Sequence, residues 1–144
     1  MIEHDTIALL KECNAGVKMG VTSIEDVLDN VKDSKFKQTL QENKERHQQL
    51  GSKLHEALNR YGEAGKEPNP MARGMSWIKT NVMLEMNDSD HTVADLMTDG
   101  CNMGVKSLSR YLNKYQAADE TSKGIAEDLI ALELKLTDDI RCYL

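Results

Sequence analysis

Proline is scarce in this 144-residue chain: Pro68 and Pro70 are the two present, and both fall in one short stretch. Elsewhere no proline interrupts a long helix. Aromatic residues are only 4%, with one Phe and one Trp, which argues against strands, where aromatic and β-branched side chains collect. Cysteines number three, Cys13, Cys101 and Cys142, with no Cys-x-x-Cys pair. An odd count without a secretion signal argues against a disulfide framework, and the missing spacing excludes a zinc ribbon or a thioredoxin-like motif. No apolar run approaches the roughly 20 residues that cross a bilayer. Runs of Lys and Arg are absent, and the net charge of −6 repels phosphate, so nucleic acid is not an expected partner. The opening Met1-Ile2-Glu3-His4-Asp5 is acidic where a signal peptide is basic, so the expected location is cytoplasmic. Neither a Gly-x-Ser-x-Gly setting nor a Gly-rich phosphate loop occurs, and no reaction is legible.

What the chain has is Leu, Glu, Lys, Asp, Met and Ala in helical order. Asp5 reads as the N-cap of a first helix whose stripe is Ile7, Leu10, Val17, Val21, Ile24, Leu28 and Val31, with Asn14 filling one slot. Gly16 and Gly20 weaken it intrinsically, and Ser23 followed by Asp26 suggests a kink near Gly20. After a turn at Lys32-Asp33-Ser34, a second stripe runs Phe36, Leu40, Asn43, His47, Leu50, Leu54, Leu58 and Tyr61, until Gly62-Glu63-Ala64-Gly65 stops it. A shorter amphipathic segment over 71–86 carries Met71, Met75, Ile78, Val82 and Met86, with Trp77 and Met83 beside them. Asn87 to Asp90 offers a new cap. Another long stripe follows: Val93, Met97, Cys101, Gly104, Leu108, Leu112 and Tyr115. Beyond the polar turn at Asp119 to Ser122, the last runs Ile125, Leu129, Leu132, Leu136, Ile140 and Tyr143. Four helices of about 30–40 Å with narrow apolar stripes predict a single all-α four-helix bundle. The expected plan is a hairpin over 5–61, a crossover over 62–89 containing the short helix, and a hairpin over 90–143.

Cys13-Asn14-Ala15-Gly16-Val17-Lys18 recurs as Cys101-Asn102-Met103-Gly104-Val105-Lys106, identical at five of six positions. The second helices also align, with Phe36, Leu40, His47 and Leu54 matching Ile125, Leu129, Leu136 and Tyr143. Two similar hairpins joined by a crossover suggest an internal repeat with pseudo-two-fold symmetry. In this architecture the chain resembles the ferritin-like superfamily, and its Gly-containing first and third helices are similar to small uncharacterised bacterial ferritin-like families.

That resemblance implies a di-iron centre built from one Glu on each of two helices and Glu-x-x-His on each of the others. The sequence departs from it. Asn14 and Asn102 stand where carboxylates are needed, His47 is followed three later by Leu50, and Leu136 by Asp139. Glu42-x-x-Glu45 and Glu127-x-x-Ile130 complete no pair, and His55-Glu56 is adjacent. Neutral Asn cannot bridge two cations and Leu cannot bind one. No metal or other cofactor is therefore expected. The expected function is a non-catalytic bundle with a structural or protein-interaction role and a degenerate di-iron site. Two alternatives stand beside it: a metal-binding ferritin-like protein with non-standard ligands, handling iron or oxidants, and a small-molecule binder.

Asn14, Asn43, His47, Cys101 and Asn102 are the candidate interior layer, either a register-fixing network or the small-molecule pocket. Cys13 and Cys101 occupy matching positions and form a candidate redox pair, against a reading as small core residues. The Met71, Met75, Trp77, Met83 and Met86 face is the candidate surface for a homo-oligomer or a protein partner.

Overall fold

The computed structural model describes residues 2–62 and 89–144. The expected crossover helix and its Met71, Met75, Trp77, Met83 and Met86 face lie outside the described residues. Those described form four long helices and no strand: α1 (Ile2–Leu28), α2 (Ser34–Asn59), α3 (Ser89–Lys114) and α4 (Glu120–Ile140). A short 3-10 turn follows at Arg141–Tyr143. None of the described helices is long and apolar enough to cross a membrane.

The stops and starts follow local chemistry. Asp33 and Asp119 cap α2 and α4, their carboxylates accepting the N–H groups of Phe36 and Ser122 at 2.9 and 2.8 Å. Beyond α2, Gly62 turns into the left-handed region at φ 71°, where a β-carbon is unwelcome. Asp5 is not the cap of α1. The helix begins at Ile2, and the Asp5 carboxylate accepts the N–H of Ala117 in the α3–α4 turn at 3.0 Å. Next to it, the Thr6 hydroxyl accepts the N–H of Asp119 at 2.9 Å. The His4 ring and the Ala117 N–H hold the Asp5 carboxyl below its usual range. Asp90, in the first turn of α3, closes the opposite turn, accepting the N–H groups of Lys32 at 2.7 Å and Asp33 at 3.0 Å. α1 runs as one helix through Gly16 and Gly20.

α1 packs on α2 and α3 on α4. Among the described residues α1 and α4 also approach each other, whereas α2 and α3 do not. The cross-section is therefore a rhomb with α1 and α4 on its short diagonal. The interior divides into two apolar clusters. One gathers Leu9, Leu10, Cys13, Val17, Leu50, Leu54, Leu58, Leu108 and Leu129. The other gathers Ile24, Val27, Phe36, Leu40, Val93, Met97, Cys101, Leu136 and Ile140. Each fully buried large apolar side chain contributes about 1.5–3 kcal/mol. Near the C-terminus Tyr143 stacks on Phe36, ring centres 4.2 Å apart, and its hydroxyl reaches Asp33. On α2 the change from one cluster to the other falls at Asn43 and His47, and on α4 at Leu132 and Glu133.

Candidate functional site

The layer between the clusters is polar and buried. His47 is 1% exposed, Asn43 6% and Glu133 8%. His47 Nδ1 lies 3.0 Å from the Asn43 backbone oxygen. A carbonyl can only accept, so Nδ1 carries a hydrogen and donates it. Nε2 lies 2.9 Å from Glu133 Oε1. With Nδ1 already protonated, that second contact needs one further proton between ring and carboxyl. The pair is imidazolium with carboxylate, or imidazole with carboxylic acid, and either way its net charge is zero. Neutrality matters here, because an uncompensated charge taken out of water costs several kcal/mol.

Glycines make room for both partners. A β-carbon on Gly20 of α1 would stand 2.7 Å from the His47 ring, so the imidazole fills the space a side chain would need. On the other side Gly104 of α3 faces Glu133, whose carboxyl carbon would lie 3.6 Å from an added β-carbon. All four helices thus shape the layer: α2 and α4 supply the pair, α1 and α3 supply the gaps. Asn43 donates its side-chain N–H to the Leu132 carbonyl at 3.4 Å, while its Oδ1 is buried without a hydrogen-bond partner, as is Thr98 Oγ1.

The thiols sit apart. Cys101 is buried against Glu133. Burial first, then the adjacent carboxyl and its hydrogen bond, push its pKa far up, so it is a neutral thiol. Cys13 lies in the other cluster, where burial, with Glu12 adding to it, raises it to about 12. Of the two readings of Cys13 and Cys101, the structure favours small core residues: both are free and buried, in different clusters, and Cys142 is free and exposed.

Of the candidate residues, the structure brings together Asn43, His47 and Cys101. Asn14 is only half-buried and Asn102 is exposed, so neither belongs to the layer. The buried stripe of α1 passes through Cys13 and Val17 instead. Asn102 is one residue past the inward Cys101 and so turns about 100° away. Glu133, the partner of His47, lies outside the candidate set that the sequence suggests. Its signal was present: Ser122, Ala126, Leu129, Glu133, Leu136 and Ile140 are spaced as a second three-four stripe, and all are buried. Glu133 also stands as far beyond the Asp119 cap as His47 stands beyond Asp33. Measured from the caps, His47 is level with Glu133 and not with Leu136, where alignment of the apolar stripes sets it.

The layer does not suit a dinuclear metal centre. It holds one carboxyl and one imidazole, bonded to each other, plus an amide and a protonated thiol. Among the described residues no three His, Cys, Asp or Glu side chains form a metal-ligand group. Beside the layer, an open groove of about 550 Å³ between α2 and α4 is lined by Glu42, Glu45, Arg46, Gln49, Lys53 and Asp128, with Leu50 and Leu132 below. No family model matches the chain, and no curated protein or solved structure matches it either.

Proposed function

We propose that this chain is a ferritin-like bundle of two antiparallel hairpins that serves as a structural or protein-interaction module rather than a metal enzyme. Three observations support this connectivity. Asp90 at the start of α3 seals the α1–α2 turn, and Asp5 at the start of α1 seals the α3–α4 turn. Leu58, near the end of α2, shares a cluster with Ala118 of the α3–α4 turn. These observations support a plan in which the end of α2 and the start of α3 lie at opposite ends of the bundle, as a ferritin-like crossover requires. The observation that carries the functional reading is the His47–Glu133 pair, whose 2.9 Å contact consumes the layer's imidazole and its carboxyl in satisfying each other. A register-fixing role suits such a closed, neutral pair.

Metal analysis of protein purified without added metal tests it. The expected result is substoichiometric iron, manganese and zinc, with no change of Tm on adding Fe(II). Near-stoichiometric metal would overturn the reading in favour of a metal-binding bundle with non-standard ligands. One observation favours the small-molecule alternative: the buried Asn43 Oδ1 has a free acceptor, and the Leu132 carbonyl that Asn43 bonds belongs to a residue lining the α2–α4 groove. A thermal-shift screen separates the two, because a ligand of the native state raises Tm, and His47→Leu would abolish that shift in a binder.

A further inference from the structure

We propose that the His47–Glu133 contact selects which helix pair docks on which, by making docking of like on like between two copies of this chain unfavourable. The inference rests on the two-hairpin topology proposed above. Asp33 and Asp119 cap α2 and α4 in the same way, and His47 and Glu133 follow them at equal distance along the helix. Each also lies over a glycine of its own hairpin's first helix, Gly20 and Gly104, although these two glycines are not matched in the repeat, where Gly104 aligns with Gly16. By distance from their caps the two positions match, and they touch. Their contact therefore lies near an approximate two-fold between the pairs, one broken elsewhere because α1 approaches α4 and α2 does not approach α3. There, docking the first hairpin of one chain on the first hairpin of another would bring a side chain against its own copy.

The apolar clusters discriminate poorly between the alternatives, since cores tolerate many combinations of Leu, Ile and Phe. The polar layer does discriminate. With His47 on His47, both Nδ1 atoms stay donors to their Asn43 carbonyls. Two Nε2 lone pairs then face each other, or one shared proton leaves a buried positive charge. With Glu133 on Glu133, two carboxylates meet, or one shared proton leaves a buried negative charge. A neutral Glu133 pair exists only with both carboxylates protonated at once, so at neutral pH His47 on Glu133 alone fills every site with no net charge. A single buried polar contact sets register and partner in coiled coils in this manner, through the cost of the wrong pairing more than the gain of the right one.

Refolding of the full chain tests this. The protein is unfolded in denaturant, refolded over a concentration series, and sized by chromatography with light scattering. The unsubstituted chain is expected to regain the size distribution it had before unfolding. The His47→Leu/Glu133→Leu chain is expected to keep its helical circular dichroism yet to form, in addition, hairpin-exchanged dimers and larger species that rise several-fold with concentration. Glu133→His, which sets imidazole on imidazole, should lower the yield of refolded native species, and the exchanged pair His47→Glu/Glu133→His should restore it. A double-leucine chain that regains the native distribution at every concentration would sink the proposal. If that chain does not fold, the exchanged pair decides: recovery over Glu133→His alone supports the selector, and equal yields overturn it. Metal content bears only on the functional reading, so the two ideas can fail separately.

Discussion

The two helix pairs solve one packing problem with opposite chemistry. In α1–α2 a basic ring, His47, presses on Gly20 so tightly that an added β-carbon would stand 2.7 Å away. In α3–α4 a carboxyl, Glu133, lies over Gly104 with ordinary clearance of 3.6 Å. The rigid ring fixes the spacing of its pair, and the flexible carboxyl adapts to meet it. Complementarity here is between unequal halves, one of which has little slack.

Removing one partner of the pair should cost the most. Glu133→Ala or His47→Ala leaves a buried group without its counterpart and is expected to lower stability by about 3–5 kcal/mol in denaturant titrations. His47→Leu/Glu133→Leu should recover most or all of that loss, because two apolar groups leave no charge to compensate. A double variant as unstable as the singles would show that packing, not charge, governs the layer.

Next comes the slack itself. Gly20→Ala should destabilise by about 1–3 kcal/mol despite the better helix propensity of Ala, since the imidazole cannot move aside without breaking a hydrogen bond. Gly104→Ala should be neutral or stabilising by up to about 1 kcal/mol. Equal effects in thermal unfolding would erase the contrast between the halves.

The thiols sharpen the comparison at alkaline pH. A thiol in the unfolded chain ionises near 9.0, whereas burial lets folded Cys13 keep its proton to about 12. The unfolded chain then binds fewer protons, so this contribution is intact below pH 9 and is lost as pH rises above it. The expected slope is about 1.4 kcal/mol per pH unit for that thiol. Cys13→Ala should reduce the slope, measured as stability against pH between 9 and 10.5. An Ellman titration of the folded protein at pH 8 should find Cys142 reactive and Cys13 and Cys101 protected. The smallest effect is expected at Gly124, where nothing lies within 4 Å of an added β-carbon. Gly124→Ala should add about 0.5–1 kcal/mol by restricting the unfolded chain.

Much of the architecture was legible because burial in a long helix leaves a three-four stripe. Phe36, Leu40, Asn43, His47, Leu50 and Leu54 are buried as that stripe requires, and Val93, Met97, Cys101 and Leu108 likewise. Helix α4 was harder to read. It packs against three other helices, so a second stripe through Ser122, Ala126 and Glu133 is buried as well, and a single stripe understates it. A carboxylate on an otherwise apolar face reads as solvated until its partner is known, and the partner lies 86 positions away. Asp5 misled for the opposite reason: an aspartate near a helix start caps its own helix by default, but this one reaches the distant Ala117. Asn102 followed from Asn14 through the repeated hexamer, and in both copies the cysteine before it faces inward while the asparagine does not.

The seal on the first turn has a consequence for synthesis. Asp33 receives the Tyr143 hydroxyl and offers its own N–H to Asp90, and Phe36 lies beneath the Tyr143 ring. A ribosome delivers this corner early and its fasteners late. A nascent α1–α2 segment waits with Phe36 uncovered and its turn amides bare, which marks that corner as the place where a chaperone or a protease would meet the unfinished protein.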